Sequence, residues 1–290
     1  MQYNPLKGAI YMLLAMFSFV SVNAFFKTLE HSYPPSQVVF FRYFFAIFPA
    51  FLPALIGSEI SHLKVNNLRT HAFRGAIGAL SLFLLFQSLS LLPLAEAVTI
   101  SFATSFFVTI FAYALLSEKI HPLVGGAIIL GFIGILIVAQ PNGNFLRIGT
   151  LYGLGSAMAE GFILVHSRLI ASQNSSSAIA FYYALFAAIF AGITLPFVWV
   201  TPSSYDLLVL ITLGLGGGIG QYFLIAATRL APAQVLAPLI YSQLLWSIIY
   251  SVILFDEIPS NSLYTGFGLI IAAGLVVIFK DKIIQIKQAN

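Results

Sequence analysis

Residues 126–139, GAIILGFIGILIVA, and residues 266–279, GFGLIIAAGLVVIF, decide the fold. Neither carries a charge, and each holds two glycines eight apart, Gly126 and Gly134 in the first, Gly266 and Gly274 in the second. Neither alternates apolar with polar residues, so membrane strands are excluded and both read as helices. Their match also places the second run as a repeat of the first.

The rest of the chain is built the same way. Of its 290 residues 60% are hydrophobic and 8% are charged, where a soluble domain carries about 25% charged residues. The apolar surplus runs from end to end, so the bilayer is the solvent for most of the chain. At about 20 residues per span plus short loops, there is room for roughly ten helices. The spans are expected near 8–29, 36–57, 70–91, 95–116, 121–139, 149–170, 177–199, 206–228, 233–255 and 262–279, with Pro-, Asn-, Ser- and Gly-rich breaks between them. The fold class is all-α integral membrane. Lys7, the run from Gly8 to Phe26 and Val22-Asn23-Ala24 match the outline of a signal peptide. The run is long for one, and the repeat gives it a partner, so it is read as the first span.

Basic residues set the orientation. With the N-terminus inside, Lys7, Lys64, Arg69, Arg74, Lys119, Arg168, Arg229, Lys280, Lys282 and Lys287 fall on the inner side and only Lys27 and Arg147 on the outer. Both termini are therefore expected in the cytoplasm. The net charge of +4 comes from these membrane-flanking residues, and no nucleic-acid partner is expected. With no cysteine there is no disulfide and no thiolate metal site.

Further matches relate the halves. Gly75, Gly78 and Pro93 correspond to Gly214, Gly217 and Pro232; Gly8 and Lys27 to Gly149 and Arg168; Glu118 to Asp256 or Glu257. The division is expected at 1–140 and 141–290, five spans in each. Five is odd, so the second copy enters the membrane from the opposite side. That makes two inverted five-helix repeats, an architecture in which halves rock around a central site.

Phe41-Arg42-Tyr43, Arg74-Gly75, Pro93-Leu94-Ala95-Glu96-Ala97 and Leu116-Ser117-Glu118-Lys119-Ile120 occur in order in the first half. Ala231-Pro232-Ala233-Gln234 and Phe255-Asp256-Glu257-Ile258 follow in the second. In these residues the chain resembles the drug/metabolite transporter superfamily, in its ten-helix branch with two EamA repeats. The Arg-Gly opening and the Pro-Leu-Ala-Glu-Ala stretch are most similar to the subgroup of S-adenosylmethionine uptake carriers. The resemblance implies secondary transport of a small metabolite through a central cavity, lined by spans 1–4 and 6–9 with spans 5 and 10 peripheral.

Glu160, near the middle of span 6, is the leading site candidate. A carboxylate at membrane depth costs about 2.5–3.5 kcal/mol on insertion scales unless it meets a cavity, a partner or a proton. It can serve as a counter-charge or proton carrier, or sit in a fixed ion pair. Arg42 in span 2 can hold a substrate carboxylate as a bidentate fork, snorkel outward, or pair with Glu160 or Glu96. Gln221, Tyr241, Gln243 and Trp246 fall on spans that the resemblance places around the cavity. Their amides and rings suit a polar, cationic or planar ligand, and helix–helix hydrogen bonding is the ordinary alternative. His166, near the end of span 6, is a proton-relay candidate or a plain helix-end histidine. The glycines from Gly214 to Gly220 lack the pattern of a nucleotide loop and read as close helix packing. Pro49, Pro53, Pro196 and Pro238 permit bends.

No H-E-x-x-H, Gly-x-Ser-x-Gly or paired aspartates occur, which disfavours the main rival, a membrane-embedded enzyme. A channel or purely structural membrane protein is the third reading, against which the inverted repeat argues. No cofactor and no metal are expected. The expected partners are the lipid bilayer, a small-molecule substrate and a coupling proton or sodium ion, with the chain a monomer or homodimer.

Overall fold

The computed structural model of the chain describes residues 4–56, 65, 67–117, 122–139, 147–171, 174–231 and 233–289. The described residues form helices and turns without strands, and their helical segments fall on the ten expected spans. Spans 1 to 3 are α1 (Pro5–Leu29), α2 (Pro35–Ile56) and α3 (Leu68–Leu91). Span 4 is α4 (Leu94–Ser101) followed by α5 (Thr104–Leu116), and span 5 is α6 (Pro122–Ala139). The second half has α7 (Ile148–Ala171), α8 (Ser176–Gly192), the short α9 (Leu195–Val198) and α10 (Ser204–Leu230). It ends with α11 (Ala233–Ile240), α12 (Ser242–Phe255) and α13 (Asn261–Ala289).

Local chemistry marks the helix starts. Asn4 Oδ1 accepts from Lys7 N–H and Pro5 occupies the first position of α1. Asn67, Ser175 and Ser203 cap α3, α8 and α10 in the same way, each satisfying an amide that the helix leaves unpaired.

Three spans expected as single helices are broken. Span 4 breaks at Phe102-Ala103, where Phe102 N–H reaches Thr99 O and Ala103 N–H reaches Ile100 O. These tighter bonds appear where Thr99 and Ser101 turn their hydroxyls back onto Ala95 O and Val98 O, competing for the helix's own acceptors. Span 9 breaks at Tyr241, whose N–H bonds to Pro238 O, because Pro238 inside α11 leaves the ladder incomplete. In span 7, α8 ends at Gly192 and α9 starts at Leu195, with Pro196 as its second residue. Pro49, by contrast, lies within unbroken α2.

The two halves interlock. Helix α1 packs on α10 while its counterpart α7 packs on α3; α2 crosses α8, and α6 crosses α13. The last crossing is a direct backbone approach, because a methyl on Gly134 would meet Gly266 O and one on Gly266 would meet Gly134 O. Spans 4 and 9 touch at their breaks, with Phe102 stacked on Tyr241 at 5.3 Å. Ser117 and Asp256 both end their helices in the left-handed conformation, at φ 55° and 51°. That shared cap fixes the register and pairs Glu118 with Glu257.

One end of α2 is tied to α10. Fully buried Gln37 exchanges two hydrogen bonds with the Val200 backbone, at 2.7 and 2.9 Å. The Tyr33 hydroxyl donates to Asp206 at 2.7 Å, and holding its proton against that carboxylate pushes the phenol pKa up.

Candidate substrate site

Arg42 lies seven residues into α2, about two turns. Its guanidinium rests on Gly217 of α10, where any Cβ would overlap it. Gly214 and Gly218 open the same groove for Phe45 and Pro49, so the glycine run is a helix-packing surface that also seats a cation. The Arg42 Nε is buried with no acceptor, and no carboxylate among the described residues lies within 4 Å of the group. Glu96, one partner considered for it, is bonded to Arg147 instead.

Beside Arg42, Tyr43 crosses to the other repeat. Its hydroxyl is 3.0 Å from that of Tyr183 on α8 and donates to Gly78 O at 3.1 Å. Tyr43 has one proton to give, so Tyr183 donates to Tyr43. A Cβ on Gly78 would enter the Tyr183 ring; that glycine exists to admit the tyrosine.

On the far face of Tyr183 stands Arg74, its guanidinium 4.4 Å from the ring centroid. Arg74 Nε donates to Ser167 Oγ at 3.0 Å and Nη1 to Ile179 O at 2.9 Å. The residue is 8% exposed. Read from sequence as a membrane-flanking charge, Arg74 is instead a buried member of the core, because α3 begins at Leu68 and carries it inward.

Glu160 lies midway along α7, the helix whose Ser167 takes the hydrogen bond from Arg74. Among the described residues it has no ion pair within 4 Å. Arg42 and Glu160 therefore form no ion pair with each other.

The remaining candidates lie elsewhere. His166 stacks on Phe162 at 5.6 Å and faces the edge of Phe73, with Nδ1 buried and unpartnered. Gln221 is exposed on α10, one turn past Gly217. Tyr241 occupies the break of span 9, its hydroxyl against Gly274. Gln243 Nε2 contacts Met16 Sδ at 2.8 Å, a weak acceptor. Trp246 meets Phe17 edge-on at 5.0 Å, and its Nε1 is buried without an acceptor. Gln243 and Trp246 thus belong to the α1/α12 contact. Helix α10 runs between that contact and Arg42, touching Ser18 of α1 through Gly216 O. Among the described residues no group of His, Asp or Glu is arranged to hold a metal.

Sequence reasoning missed Tyr43, Arg74 and Tyr183 as site residues. A signal was present, since Tyr43 and Tyr183 are 140 residues apart, within one residue of the repeat offset.

The EamA-like transporter family model fits residues 6–140 and again 147–279. The chain belongs to the EamA-like transporter family. Its relatives include an S-adenosylmethionine uptake transporter of Rickettsia prowazekii (strain Madrid E), 28% identical over 96% of this chain and 94% of that protein. A pseudopaline exporter of Pseudomonas aeruginosa (strain UCBPP-PA14) is 26% identical over 92% of this chain and 94% of its own. A riboflavin transporter of Rhizobium johnstonii (strain DSM 114642 / LMG 32736 / 3841) is 25% identical over 93% and 90%. One crystal structure shares the fold at a TM-score of 0.67 and 19% identity, covering 94% of this chain and 97% of its own. This EamA-like transporter is thus an integral membrane protein whose relatives move small molecules.

The glycine seat in the transporter is testable. Gly217→Ala forces Arg42 out of its groove, and overpacking of this kind costs about 1–3 kcal/mol. Its substrate KM should rise about tenfold or more. Gly216→Ala meets Val22 at 3.5 Å and Ser18 Oγ at 3.9 Å, both ordinary contacts, and should transport as the parent does. Adding Arg42→Lys, which is narrower, should restore the folded yield of Gly217→Ala without restoring affinity. Unchanged KM in Gly217→Ala would show that the seat does not matter.

Proposed function

We propose that the chain is a secondary transporter carrying a small amphoteric metabolite, an amino acid or an S-adenosylmethionine-like compound, across a bacterial inner (plasma) membrane by alternating access. The observation that carries this reading is the Arg42 guanidinium seated on Gly217 with a buried, unpartnered Nε, over the ring of Tyr43, whose hydroxyl meets that of Tyr183. An unpaired buried cation is costly. A substrate carboxylate would complete it through a bidentate fork, while Glu160 takes the cationic group. Gln221, Tyr241, Gln243 and Trp246 would contact the rest of the ligand as the halves, 1–140 and 141–290, rock about one central cavity. Glu160 and His166 are the groups to carry a coupling proton; sodium is the other coupling ion this reading admits.

A thermal-shift panel on the purified protein tests the substrate class, since a ligand of the folded state raises its apparent stability. Amphoteric carboxylates should raise the melting temperature, and their decarboxylated analogues should not. Equal shifts from both would end the Arg42 reading.

The same proposal puts both termini in the cytoplasm. Single cysteines at Gln2 and Asn290 should be protected from an impermeant thiol reagent in whole cells, and one at Ser204 should label. The opposite pattern would invert the topology.

A further inference from the structure

The bundle end where α1 and α3 finish and α4 begins is closed by charges that the substrate site does not use. Lys27 Nζ lies 3.1 Å from Glu257 Oε1. It also donates to Leu89 O at 3.1 Å and Leu92 O at 2.9 Å, carbonyls at the end of α3. Glu257 Oε2 accepts from Leu94 N–H at 2.9 Å, at the start of α4, and from Ser251 Oγ at 3.2 Å. Ser251 Oγ in turn accepts from Ala95 N–H at 3.2 Å. One lysine thus neutralises the carbonyl end of α3 and one glutamate the amide end of α4, each sign matching its helix dipole. The left-handed turn at Asp256 and the bond from Glu257 N–H to Ser251 O fix the carboxylate in place.

This cluster spans the repeats. Lys27, Leu89, Leu92, Leu94 and Ala95 belong to the first half, and Ser251 and Glu257 to the second. Both charged side chains are withdrawn from solvent, 9% and 22% exposed. A withdrawn ion pair adds little net stability over an apolar contact, and its best-attested use is as a switch. It also joins elements that must separate at one end when two repeats rock.

We propose that Lys27 and Glu257 form a latch between the repeats, which holds this end of the bundle closed and breaks once in each transport cycle. The latch is independent of whether Arg42 and Glu160 bind substrate. The register set by Ser117 and Asp256 gives the sequence a second basic–acidic pair, Arg168 and Glu118. Glu118 lies outside the described residues, and the latch is the Lys27–Glu257 pair alone.

The rival is a plain helix cap, and Glu257→Gln separates the two. The amide oxygen still accepts from Leu94 N–H, so the cap survives while the charge is lost. The chain has no cysteine, so Ser247→Cys creates a single reporter. Ser247 is fully buried one turn below Ser251 on α12. In vesicles of both orientations, an impermeant maleimide should label this reporter slowly. Glu257→Gln and Lys27→Met should each speed labelling about tenfold, as expected when a closed state loses a bond of this kind. Turnover should fall while the melting temperature stays near the parent's. The double variant should label no faster than the singles. Unchanged labelling in both single variants overturns the latch. If Glu257→Gln does not fold, Lys27→Met, which keeps the Glu257 cap on α4 and removes only the lysine's bonds at the end of α3, decides alone. If both fail to fold, the pair is structural and the latch is wrong.

Discussion

Arg42→Gln should abolish transport of carboxylate substrates, raising KM about 100-fold or more, and should leave the protein at least as stable as the parent. Truncating one partner of a buried, hydrogen-bonded charge pair costs roughly 2–5 kcal/mol. The lost partner here would be the substrate's carboxylate. Stability should behave in the opposite sense. Arg42 has a buried Nε without an acceptor and, among the described residues, no carboxylate within 4 Å, so the folded state bears the desolvation cost with no ion pair to offset it. Glutamine removes that cost. Arg42→Lys keeps the charge but loses the planar fork and should transport with intermediate affinity. Radiolabelled uptake into proteoliposomes and thermal melting read the two effects separately. An inactive Arg42→Gln that melts well below the parent would mean the arginine is structural.

Arg74→Gln should have the largest effect on stability, about 3 kcal/mol or more, because it removes two hydrogen bonds from a buried cation, each worth roughly 1.5–3 kcal/mol. It loses the bonds to Ser167 and Ile179 and the stack on Tyr183. It also takes away a positive charge that acts on Glu160. Adding Glu160→Gln should therefore recover part of the loss, a coupling of about 0.5–3 kcal/mol expected for groups that share a network. Arg42→Gln with Glu160→Gln should instead be additive in stability, because Arg42 is not among the charges that act on Glu160, whereas Arg74 is. Every variant lacking Glu160 should be folded and defective in transport. Additivity in the Arg74/Glu160 pair, or strong coupling in the Arg42/Glu160 pair, would reverse the assignment of partners. Normal uptake and affinity in Glu160→Gln at every pH would remove Glu160 from the cycle.

The fold was legible because its cause is local. An apolar run long enough to cross a bilayer has one stable form, with every backbone group satisfied within the helix. The spans expected at 8–29 and 70–91 are observed at Pro5–Leu29 and Leu68–Leu91. Glu160 and Arg42 were legible for a related reason, since an ionisable residue inside such a run is conspicuous. The breaks in spans 4 and 9 were less so. Pro238 announced the second, but the first has no proline and depends on hydroxyls bonding back along the helix and on Phe102 meeting Tyr241.

The sequence by itself determined the solvent, the ten spans, the two repeats and the two charges that had to be explained. Each follows from composition and from spacing along one helix. Tertiary structure decided which groups meet. Arg74 reads as a flanking charge until α3 packs on α7 and α8, where it bonds Ser167 and Ile179 and stacks on Tyr183. Tyr43 and Tyr183 are 140 residues apart, and Lys27 and Glu257 are 230 apart. Contacts across such separations depend on how whole helices cross, and crossing is set by side-chain packing on both faces, such as the glycine groove of α10. No periodicity within one segment encodes that choice.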